Sequence, residues 1–336
     1  MYGLDQLPPQ NFCNSRLLKT LHLKGWFHLT SFPDSLGQPA NLTRLSIIGC
    51  RTRFQLPESI SNLLVLLTLE FSHCEDLSQL PESLVNLPAL ETRLQLLSVI
   101  KCPDLISLSD SLSHLPSLTD LSLLRLTLRS LPHSVGQLPH LRTLKRWRFL
   151  PLASHRIPRH CTQRANAGTI QSFTALKELT LSDLTSLKVL KIVDCSLLTQ
   201  LPDSISLLTS LDLLEINYYW NLTALPQDMG KGLHSLCKLI LVRCLALTHL
   251  PPSLSSVSSL ETLDIHRATR LRGSLPCGLT SLKDLSLYFL PHLPALPASL
   301  PSIGGNLTSP LVSNCNRIKA LTEQIGRLGA LEKLAL

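Results

Sequence analysis

The stretch Leu187–Ser210, LKVLKIVDCSLLTQLPDSISLLTS, carries the pattern that decides the fold. As a template it reads LxxLxIxxCxxLxxLPxSIxxLxx, 24 residues long, and its positions are numbered here from 1 at Leu187. Related units begin at Leu18, Leu42, Leu66, Leu94, Leu118, Leu141, Leu176, Leu211, Leu236, Leu260, Leu282 and Leu307. A fixed period with apolar residues at fixed positions is typical of a solenoid, in which each unit buries its apolar face against its neighbours.

Two halves of the unit predict different local structures. Positions 3 to 8 alternate, with apolar residues at 4 and 6, as in a half-buried strand, and the spacing L-x-x-L-x-L-x-x-C is that of leucine-rich repeats. Proline suits the start of a helical turn, so each Leu-Pro pair should open a short 3₁₀ or helical turn; these prolines are Pro57, Pro81, Pro202, Pro226 and Pro251. We therefore predict an α/β solenoid, a leucine-rich-repeat horseshoe of about 13 repeats, with a parallel concave β-sheet and short 3₁₀, helical or irregular convex segments.

The repeats predict one continuous solenoid in three parts. Residues 1–144 are N-terminal repeats, 145–170 an irregular basic insertion, and 171–336 C-terminal repeats. The chain begins within a repeat, at Leu4–Pro8, and stops in the strand of another, at Leu331–Leu336. Solenoids need polar terminal units for solubility, so this sequence is expected to be a segment of a longer protein or the product of a gene sequence cut at both ends.

Composition excludes several classes of protein. No run of about 18 uncharged apolar residues exists, so no membrane contact is predicted. The opening MYGLDQLPPQNFCN lacks the basic start and apolar core of a secretory signal, which favours a cytoplasmic location.

The cysteines follow the repeat. Six of them occupy position 9, where a small side chain at the end of the strand can bond to the backbone of the turn; they are Cys50, Cys74, Cys102, Cys195, Cys244 and Cys315. We interpret them as buried, inert thiols rather than a disulfide framework. No CxxC pair or Cys/His cluster has zinc spacing, and neither a metal nor a cofactor is predicted.

Two features resemble the repeat region of plant intracellular nucleotide-binding/leucine-rich-repeat immune receptors, the disease-resistance proteins. Cysteine stands at position 9 in IVDC (192–195), LVRC (241–244) and FSHC (71–74). The LPxSI/L element recurs as LPESI (56–60), LPESL (80–84), LPDSI (201–205) and LPPSL (250–254). The resemblance spans nearly the whole chain and implies recognition of a protein and contacts that hold a receptor inactive. It does not extend to nucleotide binding, because no phosphate-binding GxxxxGK[ST] is present.

The basic window is one candidate site. From Leu121 to Lys177 the chain has ten Lys or Arg residues and no Asp or Glu. Its candidate contacts are Lys145, Trp147, Arg148, Arg156, Arg159 and Arg164. They suit an acidic protein surface or an intramolecular docking surface, while a solvated loop remains an alternative. Nucleic acid is disfavoured because no groove-fitting element or stacking platform is evident.

The outward strand positions 3, 5, 7 and 8 supply the second candidate site. Charges at position 8 alternate in sign along the chain, which suits a protein partner better than a nucleic-acid backbone; Arg243 and Arg267 belong to this column. Tyr218, Tyr288 and Phe289 are also predicted to face outward as interface anchors, whereas Tyr219 takes inward position 9. A solvated face is the alternative.

Catalysis is not predicted. The twelve histidines are scattered, and neither paired carboxylates at a recurring position nor a nucleophile elbow is present. The sequence favours a protein-binding module of a plant intracellular immune receptor, whose partner is a pathogen effector, a host protein or another domain of the receptor. The alternatives are a stand-alone cytosolic scaffold or adaptor, a bacterial leucine-rich-repeat effector, or a truncated fragment without function.

Overall fold

The computed structural model describes residues 17–26, 31–50, 56–80, 93–108, 110–124, 126, 128, 132–147, 184–193, 200–296 and 306–318. The chain divides into two compact units, Met1–Leu179 and Thr180–Leu336. We refer to them as the upstream unit and the downstream unit.

The upstream unit contains six parallel strands that follow chain order. They are β1 (Thr20–Lys24), β2 (Arg44–Ile48), β3 (Thr68–Ser72), β4 (Leu96–Ile100), β5 (Asp120–Leu124) and β6 (Thr143–Trp147). Each strand covers repeat positions 3 to 7, and each pairs in register with the next, as Leu21 does with Leu45. The repeats that begin at Leu66 and Leu94 are farther apart than the 24-residue template, yet the register is kept, since Leu69 pairs with Leu97.

The downstream unit repeats the arrangement. Its strands are β7 (Val189–Val193), β8 (Leu213–Asn217), β9 (Lys238–Val242), β10 (Thr262–His266), β11 (Asp284–Tyr288) and β12 (Ser309–Ser313). Parallel pairing again joins each strand to its successor. Twelve of the 13 predicted repeats therefore have their strand, and the unit that begins at Leu176 lies outside the described residues.

Short helical turns return the chain from one strand to the next. The 3₁₀ turns are Asp34–Gly37, Glu58–Asn62, Asp110–His114, His133–Val135, Asp203–Leu207 and Pro252–Ser256, and one α-helical turn, α1, is Met229–Gly232. Pro57, Pro202 and Pro251 each precede a 3₁₀ turn with extended backbone, and the carbonyl of Pro226 accepts a hydrogen bond from Met229. These prolines mark the turns as predicted, while Pro81 lies outside the described residues.

The 3₁₀ turns of successive repeats pack closely. Gly37 is needed there, because a Cβ atom at this residue would lie 1.9 Å from the backbone oxygen of Ser59. The two residues belong to consecutive repeats, so the side of the upstream unit opposite the strands also depends on close stacking.

The repeat leucines form the core of each unit. In the template repeat, Leu187, Leu190 and Ile192 are all at most 2% exposed. Burial of one such side chain contributes about 1.5–3 kcal/mol, and the contribution recurs in each repeat. Tyr219 is fully buried at position 9, the inward position predicted for it.

The cysteines at position 9 tie consecutive repeats together. The Cys74 thiol donates to the carbonyl of Ser72 at 3.5 Å and to that of Ile47, in the preceding repeat, at 3.7 Å. Cys244 makes the same pair of contacts in the downstream unit, and Cys315 does so in the last described repeat. Cys195 lies outside the described residues.

Position 8 adopts a left-handed backbone in every repeat whose position 8 is described. The residues are Gly25, Gly49, His73, Lys101, Tyr218, Arg243, Arg267, Phe289 and Asn314, with φ between 53° and 80°. This conformation turns the chain at the end of the strand. It also lets the N–H of position 8 donate to the next strand, as from Arg243 to the carbonyl of His266 at 2.7 Å.

The first three residues of the predicted basic insertion, 145–147, belong to strand β6. Strand β6 continues through Lys145 to Trp147, and these residues pair with Ser122–Leu124. Parallel pairing uses backbone groups alone, so basic side chains do not end the strand. The remainder of the insertion, 148–170, lies outside the described residues. Within the described part of the chain, no helix has the length and apolar character needed to cross a membrane.

Candidate partner-binding surface

Strands β8 to β12 present the richest set of functional side chains. We call the residues at positions 3, 5, 7 and 8 of these five repeats the downstream strand face. Five of the predicted contacts lie on it: Tyr218, Arg243, Arg267, Tyr288 and Phe289. Of the other six, Lys145 and Trp147 belong to β6 in the upstream unit, and four lie outside the described residues: Arg148, Arg156, Arg159 and Arg164.

The position-8 residues of this face form a row, which we call the position-8 row. It comprises Tyr218, Arg243, Arg267, Phe289 and Asn314. Each of the first four donates its backbone N–H to the carbonyl at position 7 of the next strand, at 2.7 to 2.9 Å. The backbone of the row is therefore held in place by the sheet, and its side chains project from the carboxyl ends of the strands.

The first two members of the row interact directly. The guanidinium carbon of Arg243 lies 4.8 Å from the centroid of the Tyr218 ring, a cation–π contact. Both residues are half-buried, whereas Arg267 is exposed. No carboxylate among the described residues forms an ion pair with either arginine.

An apolar group lies at the other end of the row. Phe289 is 44% exposed and Leu311, at position 5 of β12, is 37% exposed. The Tyr288 ring beside them packs edge-on against His266, with ring centroids 5.6 Å apart. Exposed large apolar side chains that cluster on one face are typical of interaction sites.

Two carboxylates of this region already have partners. Glu215 forms an ion pair with Lys191, with a nitrogen–oxygen distance of 2.6 Å, and accepts a hydrogen bond from the side-chain amide of Asn217 at 2.6 Å. Asp264 Oδ1 lies 2.8 Å from His266 Nε2. Burial raises the pKa of the Asp264 carboxyl above its ordinary value, His266 opposes that shift, and Glu215 adds to it.

Asp264, His266 and Ser286 bring together the residue types of a catalytic triad, but not its geometry. The hydroxyl of Ser286 lies 2.9 Å from His266 Nε2, the same nitrogen that Asp264 contacts. A charge-relay arrangement needs the carboxylate on one ring nitrogen and the nucleophile on the other. The contacts therefore hold the His266 ring in place between its neighbours and do not activate the hydroxyl.

The upstream unit presents a different outward surface. In β2, β4 and β5, position 5 holds Ser46, Ser98 and Ser122, all at most 8% exposed, and Ser46 donates to Glu70 at 3.3 Å. Position 7 of the same repeats holds the half-buried aliphatic residues Ile48, Ile100 and Leu124. The exposed charged and polar side chains of the first two strands include His22, Lys24 and Arg44.

The described cysteines are free thiols. Burial raises the pKa of the Cys244 thiol to about 12, which keeps it protonated and unreactive at neutral pH. Among the described residues, no group of three or more His, Cys, Asp or Glu side chains is arranged to hold a metal ion.

Sequence reasoning missed the polar cluster around His266. A signal was present in the segment Asp264–His266, because residues two apart in a strand share one face. The registered pairing of β10 with β11 then places Ser286 beside Asp264. Lys191 and Glu215 are likewise registered partners, at position 5 of β7 and β8.

Comparisons with known proteins identify the fold. No protein-family model matches the sequence, and no curated protein matches it. The leucine-rich-repeat domain of the type III effector XopL is 25% identical, with a TM-score of 0.53 over 74% of this chain and 76% of that one. A leucine-rich-repeat protein of Leptospira interrogans is 19% identical, with a TM-score of 0.51 over 99% and 93% of the two chains. TLR13, solved in complex with ssRNA13, is 18% identical, with a TM-score of 0.59 over 96% and 51%. The chain thus has the predicted leucine-rich-repeat solenoid fold.

Proposed function

We propose that this chain is a protein-binding module whose partner contacts the downstream strand face. The observation that carries the proposal is the group formed by Phe289, Leu311 and Tyr288 next to the arginines of the position-8 row. Aromatic and arginine side chains dominate the energetics of protein interfaces. Here they stand on hydrogen-bonded strands, so little conformational entropy is lost when a partner binds.

The biological setting has two candidates, and each has its own support. Cysteine at position 9 and the LPxSI/L element favour the repeat region of a plant intracellular immune receptor that binds a pathogen effector, a host protein or another receptor domain. The likeness to the repeat domain of XopL, at 25% identity over 74% of the chain, favours a bacterial leucine-rich-repeat effector equally. Both settings assign the same task to the strand face, which is recognition of a protein.

The basic segment is a second proposed contact. Its arginines, Arg148, Arg156, Arg159 and Arg164, lie next to β6 in the sequence and carry no compensating acidic residues. Charge reversal of Arg156, Arg159 and Arg164 should weaken capture of an acidic partner at low salt, where surface charges are least screened. Unchanged capture would exclude this segment from the interface.

A pair of matched substitutions tests the main proposal. Phe289 on the strand face is 44% exposed, and Leu207 in the opposite 3₁₀ turn is 48% exposed. Phe289→Asp and Leu207→Asp each place a carboxylate at an exposed apolar site, and aspartate tolerates the left-handed backbone at residue 289. The measurement is quantitative mass spectrometry of proteins captured from plant leaf extract by the wild-type chain and by each variant.

The two variants should behave differently. Partners that the wild-type chain captures should fall about tenfold or more with Phe289→Asp, because a charge replaces an interface anchor, and should be retained by Leu207→Asp. If both variants capture the same proteins in the same amounts as the wild-type chain, the strand face is not the binding surface.

A further inference from the structure

Arg243 and Arg267 lie side by side on the sheet. Their strands β9 and β10 pair in register up to Val242 and His266, the residues just before them. Neighbouring strands are about 4.8 Å apart, so the two arginines start from adjacent points. Each backbone N–H is held by the next strand, at 2.7 Å for Arg243 and 2.8 Å for Arg267. The backbones of the two arginines are thus held next to each other, so one extended ligand can reach both side chains.

The positive charge of this pair is not neutralised by the described part of the chain. Glu215 pairs with Lys191, and Asp264 Oδ1 lies 2.8 Å from His266 Nε2, so neither carboxylate forms an ion pair with these arginines. Arg243 contacts the π face of Tyr218 instead, an arrangement that orients the guanidinium without cancelling its charge. Guanidinium groups bind carboxylates through paired hydrogen bonds, so this site has unused capacity for an acidic ligand.

The backbone at these residues favours smaller residues. Arg243 and Arg267 both have φ of 56°, a left-handed conformation in which a side chain is unfavourable. Gly25 and Gly49 serve the same turn in the upstream unit with φ of 80° and 74°. The fold does not require arginine at this position, since histidine, lysine, tyrosine, phenylalanine, asparagine and glycine occupy it in other repeats with the same backbone conformation.

The charge balance of the face decides which anion fits. Across the downstream strand face, Lys238, Arg243 and Arg267 are matched in number by Glu215, Asp264 and Asp284. A face with no net charge repels one part of a polyanion as strongly as it attracts another. A localised cationic pair beside exposed Phe289 instead suits a short segment with one or two carboxylates next to an apolar side chain.

We propose that the position-8 row binds an acidic, extended segment of the protein partner, with carboxylate side chains on Arg243 and Arg267 and an adjoining apolar side chain against Phe289. This inference rests on the proposed protein-binding function and specifies the chemistry of the partner at that surface. A nucleic-acid ligand is the alternative outcome of the test.

Selection of displayed random linear peptides on the full chain provides the probe. The strongest selected peptide is then titrated by fluorescence anisotropy, both as selected and with its Asp and Glu residues changed to Asn and Gln. A competition titration with oligouridine RNA is the third measurement. The variants are the double change Arg243→Gly with Arg267→Gly, and Lys101→Gly as the matched control. Lys101 is a basic residue at position 8 with φ of 53°, but it belongs to the upstream unit.

Selected peptides should combine acidic and apolar residues. Their Kd should rise about tenfold or more both on loss of the carboxylates and in the double arginine variant, as expected for a lost charged hydrogen bond, and should be unchanged in Lys101→Gly. The double variant should melt at or above the wild-type temperature, which separates binding from folding. Selection without acidic residues, equal affinity of the amide peptide, unchanged binding by the double variant, or tighter binding of the RNA would each overturn the proposal.

Failure of this inference is distinguishable from failure of the proposed function. If captured proteins are lost with Phe289→Asp but kept by the double arginine variant, the strand face binds a partner that is not acidic. If neither change affects capture, the strand face itself is excluded.

Discussion

The upstream and downstream units share their interior and differ in the surface that their strands present. Leu97 and Leu190 occupy position 4 in the two units and are 1% and 2% exposed. At position 5, however, Ser98 is buried between its neighbours while Lys191 reaches out to Glu215. The interior is set by the repeat, whereas the outward positions are free to vary. The difference places the candidate strand-face site in the downstream unit, whereas the candidate basic segment, 148–164, belongs to the upstream unit.

The cysteines support the same comparison from the interior. Cys74 and Cys244 are both fully buried, and each thiol contacts one carbonyl in its own repeat and one in the preceding repeat. The thiol contacts are the same in the two units, although the outward side chains of their strands differ. The interior of the repeats is therefore kept in both units, while the residues at the outward strand positions change.

The largest expected effect is on the shared interior. Leu97→Ala and Leu190→Ala each remove a buried side chain and leave a cavity, which should lower the free energy of unfolding by about 2–5 kcal/mol. Urea unfolding of the two variants checks this. Similar losses would confirm that the cores are equivalent, and a negligible loss in either unit would mean that its repeat register is incorrectly assigned.

A smaller effect, of opposite sign, is expected at position 8. Lys101→Gly and Arg267→Gly relieve a left-handed backbone and should each stabilise the chain by about 0.5–1 kcal/mol. Thermal unfolding measures the change, and Lys101→Ala, which keeps a side chain at positive φ, is the control. Destabilisation by the glycine variants would show that these side chains contribute to folding.

The buried carboxyl of the downstream strand face predicts a pH-dependent difference. Because burial raises the pKa of Asp264, the folded state holds the proton more tightly than the unfolded state, and stability falls as the pH rises through the folded-state pKa. Asp264→Asn removes this effect. It should stabilise the chain at neutral pH, where the wild-type chain buries a charged carboxylate, with no difference at a pH below the ordinary value of 3.8.

Chemical unfolding across the pH range measures this difference, with Asp284→Asn, a change at an exposed carboxyl of the same face, as the control. A constant offset between wild type and Asp264→Asn at all pH values would show that burial of the charge is not the cause.

The smallest effects are expected from polar contacts on the two faces. Lys191→Ala breaks the 2.6 Å pair with Glu215, and Ser46→Ala removes the 3.3 Å hydrogen bond to Glu70. Partly exposed pairs contribute about 0–1 kcal/mol, so both losses should lie in that range in urea unfolding. The stability lost in Lys191→Ala should be smaller at high salt, because salt screens the ion pair. The stability lost in Ser46→Ala should depend less on salt. A loss above that of Leu190→Ala would contradict the assignment of stability to the interior.

The fold was readable from the sequence because a few residue types recur at fixed spacing. Leu190 and Ile192 marked the inward side of a strand, and Pro202 marked the turn that follows. The left-handed backbone at position 8 was not predicted, since residues such as Tyr218 and Arg243 give no local signal for it. Only the glycines in the upstream unit indicated that conformation, and the shared register extends it to the other repeats.

The candidate surface was readable only in part. Exposure of Phe289 followed from its position in the repeat, but the pairing of Asp264 with His266 depends on side-chain directions that spacing does not specify. The charges of Lys191 and Glu215 were visible in the sequence, and only the strand register shows that they neutralise each other. What the sequence could not predict was which cations remain unpaired, and that property distinguishes Arg243 and Arg267.

The most direct test replaces outward residues of the downstream strand face by the residue types found at the same positions in the upstream unit. The variant combines Arg243→Gly, Arg267→Gly, Tyr288→Ile and Phe289→Gly, the residue types found at Ile48 and Gly49. Its affinity for a partner captured by the wild-type chain is measured by titration calorimetry, alongside its melting temperature. We expect unfolding at or above the wild-type temperature and a loss of affinity of about a hundredfold or more. A folded variant that binds as tightly as the wild-type chain would contradict the assignment of partner binding to this face.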